Sequence, residues 1–130
     1  MLKKKDYVAL SAFRSQLAHF LRFSDQGARS AGITPTQYLL LLHVRGSEGR
    51  EWASVGELAQ RLRASPHGTA ALVSRCEALG LVSKQRSEAD ARLVEVHLTA
   101  RGKERVAQIA ARNFGELRSL RSVFRVTNVS

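Results

Sequence analysis

The stretch SEADARLVEVHLTARG, residues 87–102, holds the residues whose types and spacing most invite a chemical reading. Asp90 and Arg92 flank a single alanine on a polar tip. An alternating apolar run follows, then Thr99 and Gly102 at what reads as a helix start. Other reactive side chains are scattered. The four histidines, His19, His43, His67 and His97, show no ligand spacing, so no metal is expected. Cys76, the one cysteine, falls on the inward face of a predicted helix, where a thiol reads as a small buried hydrophobe rather than a redox sensor. Neither a glycine-rich phosphate loop, a nucleophile elbow nor a carboxylate pair is present. The chain is not expected to be an enzyme or to carry a cofactor.

Charge indicates the partner. Lysine and arginine number 21 against 11 acidic residues, a net charge of +10, and the pI is near 11.0. Such a field attracts polyanions, nucleic acid first and anionic membrane surface second. Distribution does not locate the site: residues 61–105 carry nine basic and five acidic side chains, and the rest of the excess is spread over both ends. The length of 130 residues suits one domain with a modest core that would gain from a partner chain. At 44% apolar and 25% charged, the composition is that of a soluble globular protein. No apolar run approaches the roughly eighteen residues of a membrane span. The start, MLKKKDYVAL, is too interrupted by charge to read as a signal peptide. A single cysteine fits a reducing cytoplasm, the expected location.

The elements that must position the charged tip follow from periodicity and caps. Residues 6–31 read as a helix with Leu10, Phe13, Leu17, Phe20 and Leu21 at helical spacing. Thr34, Pro35 and Gln37 form a start signal for a second helix, apolar almost all round from Leu39 to Leu42 and so centrally buried, stopping at Gly46. After a loop through Trp52, Ser54 and Glu57 make a second capping box. Ser65 with Pro66 starts a third short helix ending at Gly80, with Leu72, Val73, Cys76 and Leu79 on its core face. Residues 81–86 and 93–98 alternate as strands, with Val94, Val96 and Leu98 on one side. Thr99 caps a last helix striped by Val106, Ile109, Asn113, Leu117, Leu120 and Phe124.

Two short helices separated only by Arg63, Ala64 and Ser65 match a helix-turn-helix, and the hairpin directly after them makes a winged helix. The fold class is therefore mainly α with a small β-hairpin wing. At this point the chain resembles the MarR family of bacterial transcription regulators over residues 6–122. The sharpest match is the wing, where Asp90, Arg92, Val96, Leu98, Thr99 and Gly102 fit the family pattern. The segments ELAQRL, LVSRCEALGLV and TPTQYLLL also resemble their family counterparts.

The resemblance implies a reader at 34–99 that binds double-stranded DNA at a pseudo-palindromic operator, with Arg92 entering the minor groove. Asp90 is either a simple turn residue or an acceptor that fixes where Arg92 points. On the reading helix, Ser65, Pro66, His67, Ala70, Ala71 and Ser74 would meet the groove, with Arg75 on the flank. Relatives often carry a longer polar or basic side chain where Ala71 stands. Phosphate contacts from Arg63, Arg75, Lys84 and Arg86, and DNA shape, are therefore expected to supply much of the binding.

The terminal helices, 1–33 and 100–130, could pack on the reader's core. The resemblance implies instead that they interleave with a second copy, through Leu10, Phe13, Leu17, Phe20, Leu117, Leu120 and Phe124. Relatives usually continue beyond VFRVTNVS, so a smaller interface at that end is expected. Many members also bind a small anionic or aromatic effector. By position, Phe13, Arg14, His43 and Arg45 would line its crevice. The expected function is a homodimeric repressor, set against two alternatives: a winged-helix protein-interaction module and a nonspecific architectural DNA binder.

Overall fold

The computed structural model describes residues 1–120, in the order α1 Lys4–Ser30, α2 Pro35–Arg45, β1 Trp52–Ser54, α3 Val55–Leu62, α4 Pro66–Ala78, β2 Val82–Arg86, β3 Val94–Leu98 and α5 Ala100–Ser119. Phe124 lies outside the described residues. Hydroxyl caps set four of the helix starts. Thr34, Ser54, Ser65 and Thr99 accept the amides of Gln37, Glu57, Gly68 and Gly102 respectively. Each cap satisfies a donor that the first turn leaves without a partner. At α1, which lacks a hydroxyl cap, the Asp6 carboxylate accepts the Lys3 amide at 2.7 Å.

Three helices end alike. After α1, the Gly32 amide donates to the Arg29 carbonyl and the Ile33 amide to that of Ala28. After α4, Gly80 and Leu81 repeat the pattern on Glu77 and Cys76, and after α3, Arg63 and Ala64 do so on Gln60 and Ala59. The pivotal residue has positive φ in each: +84° at Gly32, +76° at Gly80 and +53° at Arg63. This is the left-handed stop that glycine adopts without a Cβ clash. It also corrects the reading of Leu79. The helix has ended there, Leu79 is 46% exposed, and the turn at Gly80 brings Leu81 into the core in its place.

The core is built by α2, the inner faces of α3 and α4, the sheet and one stripe of α5. Leu40, Leu41, Leu58, Val73, Cys76, Val96, Val106 and Ile109 are almost wholly buried. The burial of α2 is narrower than its composition suggests: Leu39 is exposed and Leu42 only half-buried. Truncating Leu40 or Leu41 to alanine would cost about 2–5 kcal/mol through lost transfer energy and the cavity left.

The sheet has three strands, in the order β1-β3-β2, all antiparallel. The sequence placed β1 in a loop. Three residues are too few to show alternation, yet Trp52, Ala53 and Ser54 pair with His97, Val96 and Glu95. The hairpin of β2 and β3, expected from their alternation, pairs Val82 opposite Leu98 and Arg86 opposite Val94.

Polar contacts tie α5 to α1, to α2 and to the turn between them. Asn113 Nδ2 donates to Ser24 Oγ at 2.9 Å and to Tyr38 Oη at 3.1 Å. His19 Nε2 meets Glu116 Oε1 at 2.8 Å, and the Arg112 guanidinium lies 4.1 Å over the Phe23 ring. Arg105 donates to the Ala31 carbonyl. Much apolar surface on α1 and α5 remains open, including Tyr7, Val8, Leu10, Leu21, Phe114 and Leu117. Leu120, by contrast, is buried within the chain at 6% exposure. No described helix is long and apolar enough to cross a membrane.

Candidate nucleic-acid interface

Helix α4 separates its residues cleanly by face. Thr69, Leu72, Val73 and Cys76 are buried, and the Thr69 hydroxyl donates to the Ser65 carbonyl at 2.8 Å. Pro66, His67, Ala70, Ala71, Ser74 and Arg75 are all exposed, on the side away from the core. Ser65 itself is occupied as the cap, its Oγ 3.0 Å from the Gly68 amide. What α4 offers to a ligand is therefore a shallow face of small side chains, with His67 near one end and Arg75 near the other.

The wing lies beside this face. Lys84, on β2, donates from Nζ to Ser74 Oγ at 3.2 Å, which joins strand and helix into one continuous surface. Glu77 stands on the same seam. Its Oε2 accepts the Lys84 amide at 3.0 Å, and its Oε1 lies 3.6 Å from Lys84 Nζ. Two of the residues read from the sequence as DNA contacts, Ser74 and Lys84, thus already hold each other. Arg86 is exposed and reaches the Ala91 carbonyl at 3.4 Å.

At the tip, Asp90 both shapes the turn and aims Arg92. Its Oδ1 accepts the Arg92 amide at 3.0 Å and Arg92 Nε at 3.1 Å, while Oδ2 accepts NH2 at 3.2 Å. The Asp90 amide in turn donates to Ser87 Oγ at 3.2 Å, and Ser87 is buried at the root of the loop. Although clasped in this way, the Arg92 side chain remains 90% exposed. The side-chain and backbone hydrogen bonds from Arg92 hold the Asp90 carboxyl below its ordinary value of 3.8, so the clasp is an ion pair at neutral pH. This arrangement pairs the Arg92 cation at the tip of the wing with a carboxylate that sets its orientation.

The residues read as an effector crevice sit in two groups. Phe13 and Arg14 lie on the N-terminal half of α1, Phe13 half-buried and Arg14 exposed. His43 and Arg45 occupy the last turn of α2, where Arg45 NH1 pairs with Glu51 Oε2 at 2.7 Å. Burial, then the nearby Arg61 charge, lowers the His43 pKa from 6.5. An open recess of about 400 Å³ lies elsewhere, behind the wing, among Trp52, Gln85, Ser87, Leu93 and Glu95. No cluster of metal-ligating side chains occurs among the described residues. Cys76 is wholly buried and its thiol is pushed up to about 11 by burial, opposed weakly by Arg75.

Sequence reasoning passed over Glu77 and Ser87. Glu77 drew no reading from the sequence, because its partner is seven residues away on another element. Ser87 looked like one more polar loop residue. Neither carried a local signal: Glu77 lies within α4, and Ser87 directly follows β2.

A helix-turn-helix followed at once by a hairpin wing, with a long helix on either side, defines the winged-helix class of nucleic-acid-binding folds. Residues 31–93, which contain α2, the helix-turn-helix and the wing up to the start of β3, match the model of the MarR family, and over this segment the chain is similar to that family. The fold extends the likeness to the terminal helices. A MarR family protein from Bacillus stearothermophilus is 23% identical, with a TM-score of 0.77 over 98% of this chain and 87% of the other. AbsC, a MarR family transcriptional regulator from Streptomyces coelicolor, is 20% identical, with a TM-score of 0.73 over 100% and 84%. A mutant of MepR from S. aureus, bound to an oligodeoxyribonucleotide, is 19% identical, with a TM-score of 0.68 over 99% and 86%. At these identities the likeness is one of fold. No curated protein matches the sequence.

Proposed function

We propose that the chain is a homodimeric, sequence-specific binder of double-stranded DNA that represses transcription in the cytoplasm. The observation that carries the reading is the continuous surface made by the outward row of α4 and a wing whose Arg92 is held ready by Asp90. A net charge of +10 supplies the field that draws this surface to a duplex. Small side chains at Ala70 and Ala71 let the helix approach the major groove closely, where alanine can touch thymine methyl groups. His67 and Ser74 can bond base edges or phosphates, and Arg63, Arg75 and Arg86 can meet the backbone.

The solvent-facing apolar residues of α1 and α5 support the second copy. Tyr7, Leu10, Leu21, Phe114 and Leu117 are costly to leave in water, and together they suit a two-fold interface. Half-buried Phe13, Leu17 and Phe20 extend the same helix. In this reading 1–33 and 100–130 dimerise and 34–99 reads DNA. Repression needs nothing beyond occupation of a promoter duplex. A small anionic or aromatic effector held near Phe13, Arg14, His43 and Arg45 would release the dimer by favouring one spacing of the two readers.

The test is selection of bound duplexes from a random pool, followed by salt titration of wild type and Arg92→Ala on the selected site. A two-fold site should emerge, preferred by roughly a thousandfold or more over random duplex. Loss of Arg92 should weaken it by about 1–3 kcal/mol. Equal retention of every duplex would mark a nonspecific architectural binder, and no retention would favour a protein-interaction module.

A further inference from the structure

We infer that Glu77 is a positioning residue for DNA recognition: it locks the wing's first strand to the reading helix at a fixed offset. The inference rests on the DNA-binding reading above. Strand β2 lies at the edge of the sheet, beyond β3. The Lys84 amide finds its partner off that open edge, in Glu77 Oε2 at 3.0 Å, where an unpaired strand donor would otherwise face water. The same carboxylate lies 3.6 Å from Lys84 Nζ, and Nζ bonds Ser74 one turn earlier on α4. One residue of the strand is thereby held to one face of the helix through both its backbone and its side chain.

Electrostatics makes this placement informative. A carboxylate beside Ser74 on a surface that meets phosphates opposes binding by its charge, so attraction does not explain its presence. Its two effects on DNA binding have opposite signs. Its charge weakens contact with every duplex, whereas its clasp favours only the duplex whose groove spacing matches the fixed helix–wing offset. Glu77 is itself exposed, so the fold is expected to survive its replacement.

The experiment uses the full chain with Glu77→Ala and Glu77→Gln. Each is titrated on the duplex selected by wild type and on random duplex, and amide exchange at Lys84 is followed without DNA. Glu77→Ala should bind random duplex more tightly than wild type does. Its preference for the selected duplex should fall about tenfold, the size of one lost charge-assisted hydrogen bond. Exchange at the Lys84 amide should accelerate by a similar factor. Glu77→Gln removes the charge but keeps a carbonyl acceptor, so it should share the gain on random duplex while retaining most of the preference. An equal gain of Glu77→Ala on both duplexes, or unchanged exchange at Lys84, would overturn the inference. A wild-type chain that selects no duplex overturns the DNA reading itself. Lys84 exchange then still reports whether the clasp exists, which tells the two failures apart.

Discussion

Gly102, in the first turn of α5, packs directly on the Leu81 backbone: a Cβ there would lie 3.0 Å from the Leu81 carbonyl carbon and closer still to its oxygen. That oxygen also accepts the Thr99 amide at 3.0 Å, and the Thr99 hydroxyl donates to the Gly80 carbonyl at 2.6 Å. The start of α5 is therefore seated on the turn that ends α4. Gly102→Ala is expected to destabilise the chain by about 1–3 kcal/mol, because the obstructing atoms are backbone and cannot rotate away. Gly56→Ala, whose added methyl meets only Ser54 Oγ at 4.0 Å, is expected to be neutral or stabilising by up to about 1 kcal/mol. Thermal unfolding of the two variants checks the contrast.

Acid should weaken the fold through His43. Burial and the Arg61 charge both disfavour its protonated form, so its folded pKa lies below the ordinary 6.5. A lowered pKa means that the unfolded chain takes up the proton first. The stability is fully present above 6.5 and is lost as pH falls from there through the folded value. His43→Gln should therefore gain on wild type in melting temperature as pH drops from about 7 to about 5. A difference that stays constant with pH would contradict this.

Cys76 is expected to be inert in the native protein. Its side chain is wholly enclosed and its thiol is pushed up to about 11, so little thiolate exists near neutrality and none of it is accessible. A thiol reagent at mildly alkaline pH should modify it only as fast as the chain opens, and denaturant should release the full reaction. Rapid labelling of the folded chain would restore the redox reading.

The parts of this fold legible in the sequence are those specified by neighbours along the chain. Thr34, Ser54, Ser65 and Thr99 announced their helices because a cap and its amide are three residues apart. The alternation of Val94, Val96 and Leu98 announced the hairpin. What escaped notice depends on distant partners. Strand β1 exists because β3 offers it an edge, and Leu79 is exposed because the chain stops being helical one residue before it. In the candidate site, the outward row of α4 followed from periodicity. The clasp of Lys84 by Glu77 could not, since its two members become neighbours only once strand and helix have packed. For Asp90, the two sequence readings proved compatible: one carboxylate serves the turn and the arginine together.

Arg63 stands where α1 and α4 use glycine, in a backbone conformation that strains a side-chain-bearing residue by about 1–3 kcal/mol. Between α3 and α4, the molecule thus holds a guanidinium at a strained corner. Arg63→Gly would relieve the backbone and delete the cation in a single step. Robustness to heat and grip on DNA should then part company, the first rising while the second declines at every salt concentration. On the proposed DNA-binding reading, the tightest binder and the sturdiest fold are, at this one corner, different proteins.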